Sequence, residues 1–130
     1  LHVRSRRQRQ MCIRDRDKYI DEISKKVEKD ISNFNKEEDL IEILSQIFKA
    51  LSDPTRIKII YALMNGPLCV SDISVLLEMS QSSISHQLAL LRNQNLIKVK
   101  RIGRRAYYSL DDEHVLCIFK DGLEHAKHKL

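Results

Sequence analysis

Residues 68–110 read LCVSDISVLLEMSQSSISHQLALLRNQNLIKVKRIGRRAYYSL, and they carry helical and then strand periodicity. The helical part predicts two short helices joined by a tight turn at Met79-Ser80, with Ser71 and Ser80 as their caps. The second helix runs from about Gln81 to Asn93. The side chains predicted to face inward are Ile73, Leu76, Leu77, Ile84, Leu88 and Leu91.

A β-hairpin follows the second helix. Apolar and basic residues alternate over residues 96–101, residues 102–104 form a turn, and residues 106–110 make the returning strand. Two short helices followed by a basic hairpin predict a winged helix-turn-helix.

Helices are predicted on both sides of this segment. Apolar residues at spacings of three and four predict an amphipathic helix over residues 17–34 and a second over residues 40–51. Asp53 and Pro54 predict the start of a third helix, which ends near Gly66. A last helix begins at Asp111 or Asp112 and reaches about His128. The chain is therefore predicted to be mainly α-helical with one hairpin, and residues 17–130 to form a single domain.

The formal net charge of +5 would suggest a nucleic-acid partner, but its distribution does not. Of the 23 basic and 18 acidic residues, six arginines and one aspartate lie within residues 1–16, which leaves 17 of each sign afterwards. Residues 6–16 read RRQRQMCIRDR, which resembles the translation of a transposon-based sequencing adapter. We therefore predict that residues 1–16 are a non-native tail and give Cys12 no role. The alternative is a disordered basic arm that binds DNA.

The local pattern points to DNA more strongly than the net charge does. Short polar side chains on the second helix could read base edges in the major groove, and cations on the hairpin suit phosphate or minor-groove contact. The predicted DNA-binding residues are Gln81, Ser82, Ser83, Ser85, His86, Lys98, Lys100, Arg101, Arg104 and Arg105. The alternative is that the serines only cap the helix and that the cations form a solvated face.

Four potential metal ligands lie on the last helix: Asp112, His114, His125 and His128. His125 and His128 share one helical face, and eleven residues return His125 to the face of His114. The rise over eleven residues is about 16 Å, however, which two ligands of one ion cannot span. Two antiparallel copies of the helix would close two equivalent sites per dimer. Three imidazoles and one carboxylate suit zinc, with cobalt or nickel as alternatives.

The chain resembles the ArsR/SmtB family of metalloregulatory repressors, and within it the zinc- and cobalt-responsive branch. The matching text is ALSDPTRIKIIYAL, LCVSDIS, SQSSISHQLALLRNQNLIKVKRIGRRAYYSL and DDEHV, within residues 40–128. The resemblance implies a homodimer, held through its N- and C-terminal helices, that binds an inverted-repeat operator and leaves it on binding metal. It also implies a relay in which the free ring N–H of His125 bonds to the backbone near His86.

The family has a second, thiolate-rich type of site within an LCVCD-like segment. Here Ser71 stands where the second cysteine would be, which argues against that site. Cys69 and Cys117 are predicted to be small buried hydrophobes. The alternative function is a repressor of the same fold that senses thiol-reactive species or another ligand through these two cysteines.

Other classes of function fit less well. No apolar run approaches the length of a membrane span, no apolar segment marks the N-terminus for secretion, and three cysteines do not suggest a disulfide framework. We therefore predict a cytoplasmic protein with no small-molecule substrate. A metal-dependent hydrolase would need an open zinc position and a nearby base, so we predict no enzymatic activity. An interaction module that does not bind DNA would leave the clustered hairpin cations unexplained.

Overall fold

The computed structural model describes residues 13–130, with side chains described from Arg16 onward. Most of the predicted non-native tail of residues 1–16, including Cys12, lies outside the described residues, and the tail stays a prediction. The chain divides into two compact units, with the boundary in sequence between Glu42 and Ile43; the second unit is Ile43–Leu130. That residues 17–130 form one domain stays a prediction.

The described residues form six helices and one hairpin, in the predicted order. The helices are α1 (Ile13–Asn35), α2 (Glu38–Ala50), α3 (Pro54–Leu63), α4 (Val70–Leu77), α5 (Gln81–Asn93) and α6 (Glu113–Lys127). The strands β1 (Ile97–Ile102) and β2 (Arg105–Leu110) lie between α5 and α6. The prediction of a mainly helical winged helix-turn-helix is confirmed. None of the described helices has the length and apolar character needed to cross a bilayer.

Polar side chains fix where several helices begin. Asp53 accepts the backbone N–H of Arg56 at 3.1 Å, and Ser80 accepts that of Ser83 at 3.2 Å. These bonds satisfy amide groups that the first turn of a helix cannot pair by itself. Asp112 caps α6 in the same way, by accepting from Val115 at 3.0 Å. Ser80 and Asp112 are therefore caps as predicted, whereas the prediction of Ser71 as the cap of α4 was wrong. The N-cap of α4 is Cys69 and the helix begins at Val70, because the Asp72 carboxylate accepts the backbone N–H of Cys69.

The core of the second unit lies under the helix-turn-helix. Its fully buried side chains come mostly from α3, α4 and α5, and the largest are Ile59, Ile60, Ile73, Ile84, Leu88 and Leu91. The inward-facing residues predicted for α4 and α5 are therefore correct, with one exception. Leu76 is 63% exposed although it lies only about 60° around α4 from the buried Ile73, and it borders a groove with Ile57 and Phe119.

The hairpin is anchored to this core at its base and extends into solvent at its tip. Ile97 pairs with Leu110 at the base, and Ile102 pairs with Arg105 next to the turn. Ile102 therefore belongs to β1, and the turn contains only Gly103 and Arg104. Gly103 has a φ of +64°, which glycine adopts without strain. Leu68 forms an antiparallel bridge with Tyr108, which joins the hairpin to the start of α4.

Candidate functional site

Helix α5 presents a polar surface on the side away from the core. Ile84, Leu88 and Leu91 are buried, whereas Gln81, Ser82, Ser85 and His86 are exposed. Ser83 differs from its neighbours because its side chain is half-buried. Four of the five predicted residues of this helix are thus free to contact a second molecule.

Two further residues on the exposed side of α5 were not predicted. Ala89 lies about one turn beyond Ser85, and Arg92 lies one turn beyond Ala89. Both are exposed. Extending the i, i+3 and i+4 pattern from Ser85 would have found them. A small apolar residue and a cation next to the polar group would complete a surface that can reach both base edges and phosphates.

The five predicted cations of the hairpin are all exposed, but they do not share one face. The cross-strand pairs place Lys98, Lys100 and Arg105 on one face, because residues two apart in a strand point the same way. Arg101 lies on the other face with Val99, and Arg104 lies in the turn. The face with Lys98 and Lys100 carries like charges close together, which attracts an anion such as a phosphate.

Arg56 links the helix-turn-helix to the preceding helices, a contact that the sequence analysis missed. Its Nε donates to the backbone oxygen of Ala50 at 2.6 Å, where α2 ends. Its Nη1 donates to Oε1 of Gln87 at 3.2 Å, on α5. One guanidinium therefore holds the end of α2 and the α5 helix at fixed positions relative to α3. Gln87 is 31 residues away in sequence, so no local pattern points to this pair.

We expect Arg56→Met to lower the free energy of unfolding by about 1–3 kcal/mol, because hydrogen bonds from a charged group are lost. The operator affinity should also fall, because Gln87 lies next to His86 on α5. Denaturant unfolding and a gel-shift assay measure the two effects. Lys58→Met is the matched control, since it removes an exposed cation from the same helix. Equal effects of both substitutions would contradict the linking role.

Cys69 is buried, as predicted, but its thiol is part of a polar cluster. Its Sγ donates to Oδ2 of Asp72 at 3.0 Å and lies 3.1 Å from Oγ of Ser71. The thiol hydrogen bond is the main reason that the pKa of Asp72 lies below its usual range. The Cys69 backbone N–H and the positive charge of Arg105 lower it further. Cys69 therefore acts as a hydrogen-bond donor as well as an apolar side chain, and the acidic neighbour of Arg105 is Asp72.

The lowered pKa of Asp72 predicts that the stability of the protein depends on pH. A carboxyl whose pKa is lowered on folding stabilises the protein above its ordinary pKa, and this contribution is lost as the pH falls through the lowered value. Asp72→Asn should therefore reduce the melting temperature at neutral pH by a few degrees, and the difference from wild type should shrink below about pH 4. Thermal melts across this range test it. A difference that does not change with pH would show that the charge of Asp72 is irrelevant.

Cys117 is exposed, so the prediction that it is buried was wrong. Val115 is the buried residue of α6, and two residues of helix turn Cys117 to nearly the opposite side. The two cysteines of the alternative thiol-sensing function thus have different surroundings, one buried and one exposed.

The four predicted metal ligands lie at the two ends of α6. Asp112 uses Oδ1 to cap the helix, and its Oδ2 lies 3.6 Å from Nδ1 of His114. His125 is in the last turn, and His128 follows as the C-terminal cap. The bond from the Val115 N–H is the main reason that the pKa of Asp112 is lowered, so this carboxylate is available as an anionic ligand.

A single chain does not bring the two pairs together. Within residues 13–130, no three side chains of histidine, cysteine, aspartate or glutamate are close enough to hold one metal ion. All four ligands are exposed, and the side chain of His114 is 92% exposed. Each end of α6 thus offers two donors to solvent, which fits a site completed from outside the chain but not one closed within it.

Comparison with known proteins identifies relatives of this chain. Residues 53–99 match the family model described as bacterial regulatory protein, arsR family. The chain is 44% identical over 85 residues to a cadmium resistance transcriptional regulatory protein CadC homolog from Staphylococcus aureus, a match that covers 65% of this chain and 70% of that protein. It is 42% identical over 82 residues to a transcriptional repressor SmtB homolog from Synechocystis, with 63% of this chain and 62% of that repressor covered.

A solved structure agrees with these matches. The homodimeric winged helix-turn-helix DNA-binding domain of a possible ArsR-family transcriptional regulator from Mycobacterium bovis superposes with a TM-score of 0.69 at 27% identity. The superposition covers 72% of this chain and 86% of that domain.

Proposed function

Because this chain belongs to the arsR family of bacterial regulatory proteins, we propose that it is a homodimeric repressor that leaves its operator on binding zinc or a similar transition metal. The chain is a transcriptional regulator and not an enzyme, which removes the hydrolase alternative. The observation that carries the metal proposal is the separation of two donor pairs at opposite ends of α6.

DNA binding is the part of the proposal with the most support. The polar surface of α5 has the size and chemistry to enter a major groove, and the hairpin supplies cations to one side of it. A homodimer presents two such surfaces related by a two-fold axis, which suits an inverted-repeat operator. The helix contacts would give sequence specificity, and the hairpin contacts would give affinity.

The metal site is proposed to form between subunits. Asp112 and His114 of one subunit would join His125 and His128 of the other, and the same contact repeats at the second end. The donor set of three imidazoles and one carboxylate fits a tetrahedral zinc ion, which would supply strong bonds between the two helices. Cobalt and nickel accept similar ligands. The cap bond from Val115 fixes the Asp112 carboxylate before any ion arrives.

Metal binding can weaken DNA binding only if the metal-bound dimer and the DNA-bound dimer differ in the relative orientation of their subunits. Ligation would fix one relative orientation of the α6 helices, and operator binding needs a particular spacing of the two α5 helices. If these orientations differ, linkage requires that metal and DNA weaken each other's binding equally. We retain the relay from His125 to the backbone near His86 as a proposal. The relay is wrong if His125→Asn still binds zinc and still releases the operator normally.

An anaerobic zinc titration of the full chain tests the whole proposal. We expect two zinc ions per dimer and a loss of affinity for DNA from upstream of the chain's own gene, measured by fluorescence anisotropy. Cobalt substitution should give the absorption of tetrahedral coordination. Unchanged operator affinity at saturating zinc would contradict the metal response. Cys69→Ala/Cys117→Ala should still respond, whereas loss of the response in that variant would favour the thiol-sensing alternative.

A further inference from the structure

A polar cleft of about 450 Å³ lies between the C-terminal half of α5 and strand β2. Ser85, Ala89 and Arg92 line it from α5, Asn95 lines it from the turn after the helix, and Tyr108 lines it from β2. Ala89 contributes only a methyl group to this lining, so the cleft stays open where a longer side chain would fill it. The cleft borders the polar surface of α5 that is proposed to enter the major groove.

The polar groups of the cleft are hydrogen-bond donors without a partner in the chain. Among residues 13–130, the side chains of Arg92, Asn95 and Tyr108 form no hydrogen bond and no ion pair. A guanidinium, an amide and a phenol can all donate. Of the described residues that line the cleft, one is a cation and none is an acid. This chemistry suits an anion, and arginine, asparagine and tyrosine are among the residues that contact phosphates in DNA complexes.

The backbone of Asn95 suggests that its side chain has a role other than ending α5. Asn95 has a φ of +56°, and the next N–H, that of Leu96, donates to the backbone oxygen of Leu91 at 3.1 Å. Glycine is the usual residue at such a helix end, because it adopts a positive φ without strain. Asparagine tolerates this conformation but adds an amide group. Since the helix end uses only backbone groups, the Asn95 amide is available to a ligand in the cleft.

The position of the cleft along α5 identifies the anion as part of DNA. At 100° per residue, Arg92 lies within about 20° of the direction of Ser85 and about 10 Å further along the helix axis. The N-terminal residues of a recognition helix contact base edges, and the major groove is about 12 Å wide. A side chain about 10 Å further along the same face therefore lies near the edge of the groove, where the backbone phosphates are.

We propose that this cleft holds one backbone phosphate of the operator in each half-site. Arg92 pairs with the charge of the phosphate, and Asn95 and Tyr108 donate hydrogen bonds to its oxygens. This inference rests on the proposed DNA binding and adds a phosphate contact separate from those of the hairpin lysines. A phosphate held at the C-terminal end of α5 fixes how deeply the N-terminal end enters the groove.

Fluorescence anisotropy with the operator at several salt concentrations tests the role of Arg92. Arg92→Met removes one phosphate contact per subunit and should reduce the slope of log affinity against log salt by about 0.9 per subunit. The affinity should fall on the order of tenfold, for operator and unrelated duplexes alike. Lys58→Met is the matched control, because it removes an exposed cation from α3 and should change neither quantity. An unchanged slope in Arg92→Met would overturn the proposal.

Asn95→Gly separates contact with a ligand from a structural role. Glycine suits the positive φ at this position, so the melting temperature should stay the same or rise. The operator affinity should nevertheless fall about threefold because a neutral donor is lost, and the salt slope should not change. An affinity equal to that of wild type, or a loss that follows a lower melting temperature, would show that the amide does not contact the phosphate.

Replacing single operator phosphates by neutral methylphosphonates locates the contact. We expect one position in each half-site at which the replacement weakens binding of the wild type but weakens Arg92→Met no further. If every position affects both proteins equally, the cleft holds no phosphate, and the proposal fails while the repressor function stands. If the wild type does not bind the operator at all, the proposed function fails as well.

Discussion

Two variants that cannot bind zinc separately should regain zinc binding when their subunits are mixed. Asp112→Ala/His114→Ala removes one donor pair of α6, and His125→Ala/His128→Ala removes the other. Each homodimer keeps only two ligands per site and should lose tight zinc binding. A mixed dimer places the intact pair of one subunit opposite the intact pair of the other, which restores one complete site.

The size of the recovery follows from the statistics of mixing. After subunit exchange, half of the dimers are mixed, and each has one of its two sites intact. The zinc capacity should therefore return to about a quarter of the wild-type value. Competition with a chromophoric chelator measures it. The operator affinity of each variant without metal should remain close to that of wild type, because neither pair lies on α5 or the hairpin.

If mixing the variants does not restore zinc binding, the result shows which part of the proposed site is wrong. If the mixture binds no more zinc than the separate variants, the two pairs do not share a site. If one variant keeps full zinc binding by itself, the site lies at the remaining end of α6. His114→Ala/Glu113→Ala compared with Glu113→Ala alone separates loss of a ligand from disturbance of the first turn. Asp112 needs similar care, because it also caps α6.

The sequence predicted the helix-turn-helix well because its signals are local. Apolar spacing identified Ile84, Leu88 and Leu91 as buried, and cap residues such as Ser80 placed the helix ends within a residue or two. The prediction for Cys117 failed because it rested on the tendency of free cysteines to be buried and not on the position of the residue around the helix. The inward side was fixed by the contacts of Val115, which depend on the whole fold.

Contacts between distant residues could not be predicted from pattern. The bond from Arg56 to Gln87 joins two helices that the sequence analysis treated separately. The Cys69 thiol looked apolar by composition, and only the folded turn brings it to Asp72. For the metal ligands, by contrast, the sequence was sufficient to predict that one chain cannot close the site, because the rise of a helix separates the two donor pairs. Their dependence on a second subunit stays a prediction.

Removing the two lysines on one face of the hairpin should weaken DNA binding without changing its sequence preference. Lys98 and Lys100 lie on one exposed face of β1 and are predicted to contact phosphates. Each phosphate contact releases about 0.9 counterions from duplex DNA, so Lys98→Ala/Lys100→Ala should reduce the slope of log affinity against log salt by about 2. At about 0.1 M salt this amounts to a loss of roughly 10- to 100-fold in affinity.

The salt slope separates an electrostatic role from a structural one. If the lysines only keep the hairpin soluble or folded, the affinity should fall while the slope stays constant. Fluorescence anisotropy at several salt concentrations, with operator and unrelated duplexes, gives both quantities. Lys25→Ala/Lys29→Ala is the matched control, because it removes two exposed cations from α1 and should leave the slope unchanged. Since phosphates carry no sequence information, operator and unrelated DNA should lose affinity by the same factor, whereas Ser85→Ala should weaken the operator alone.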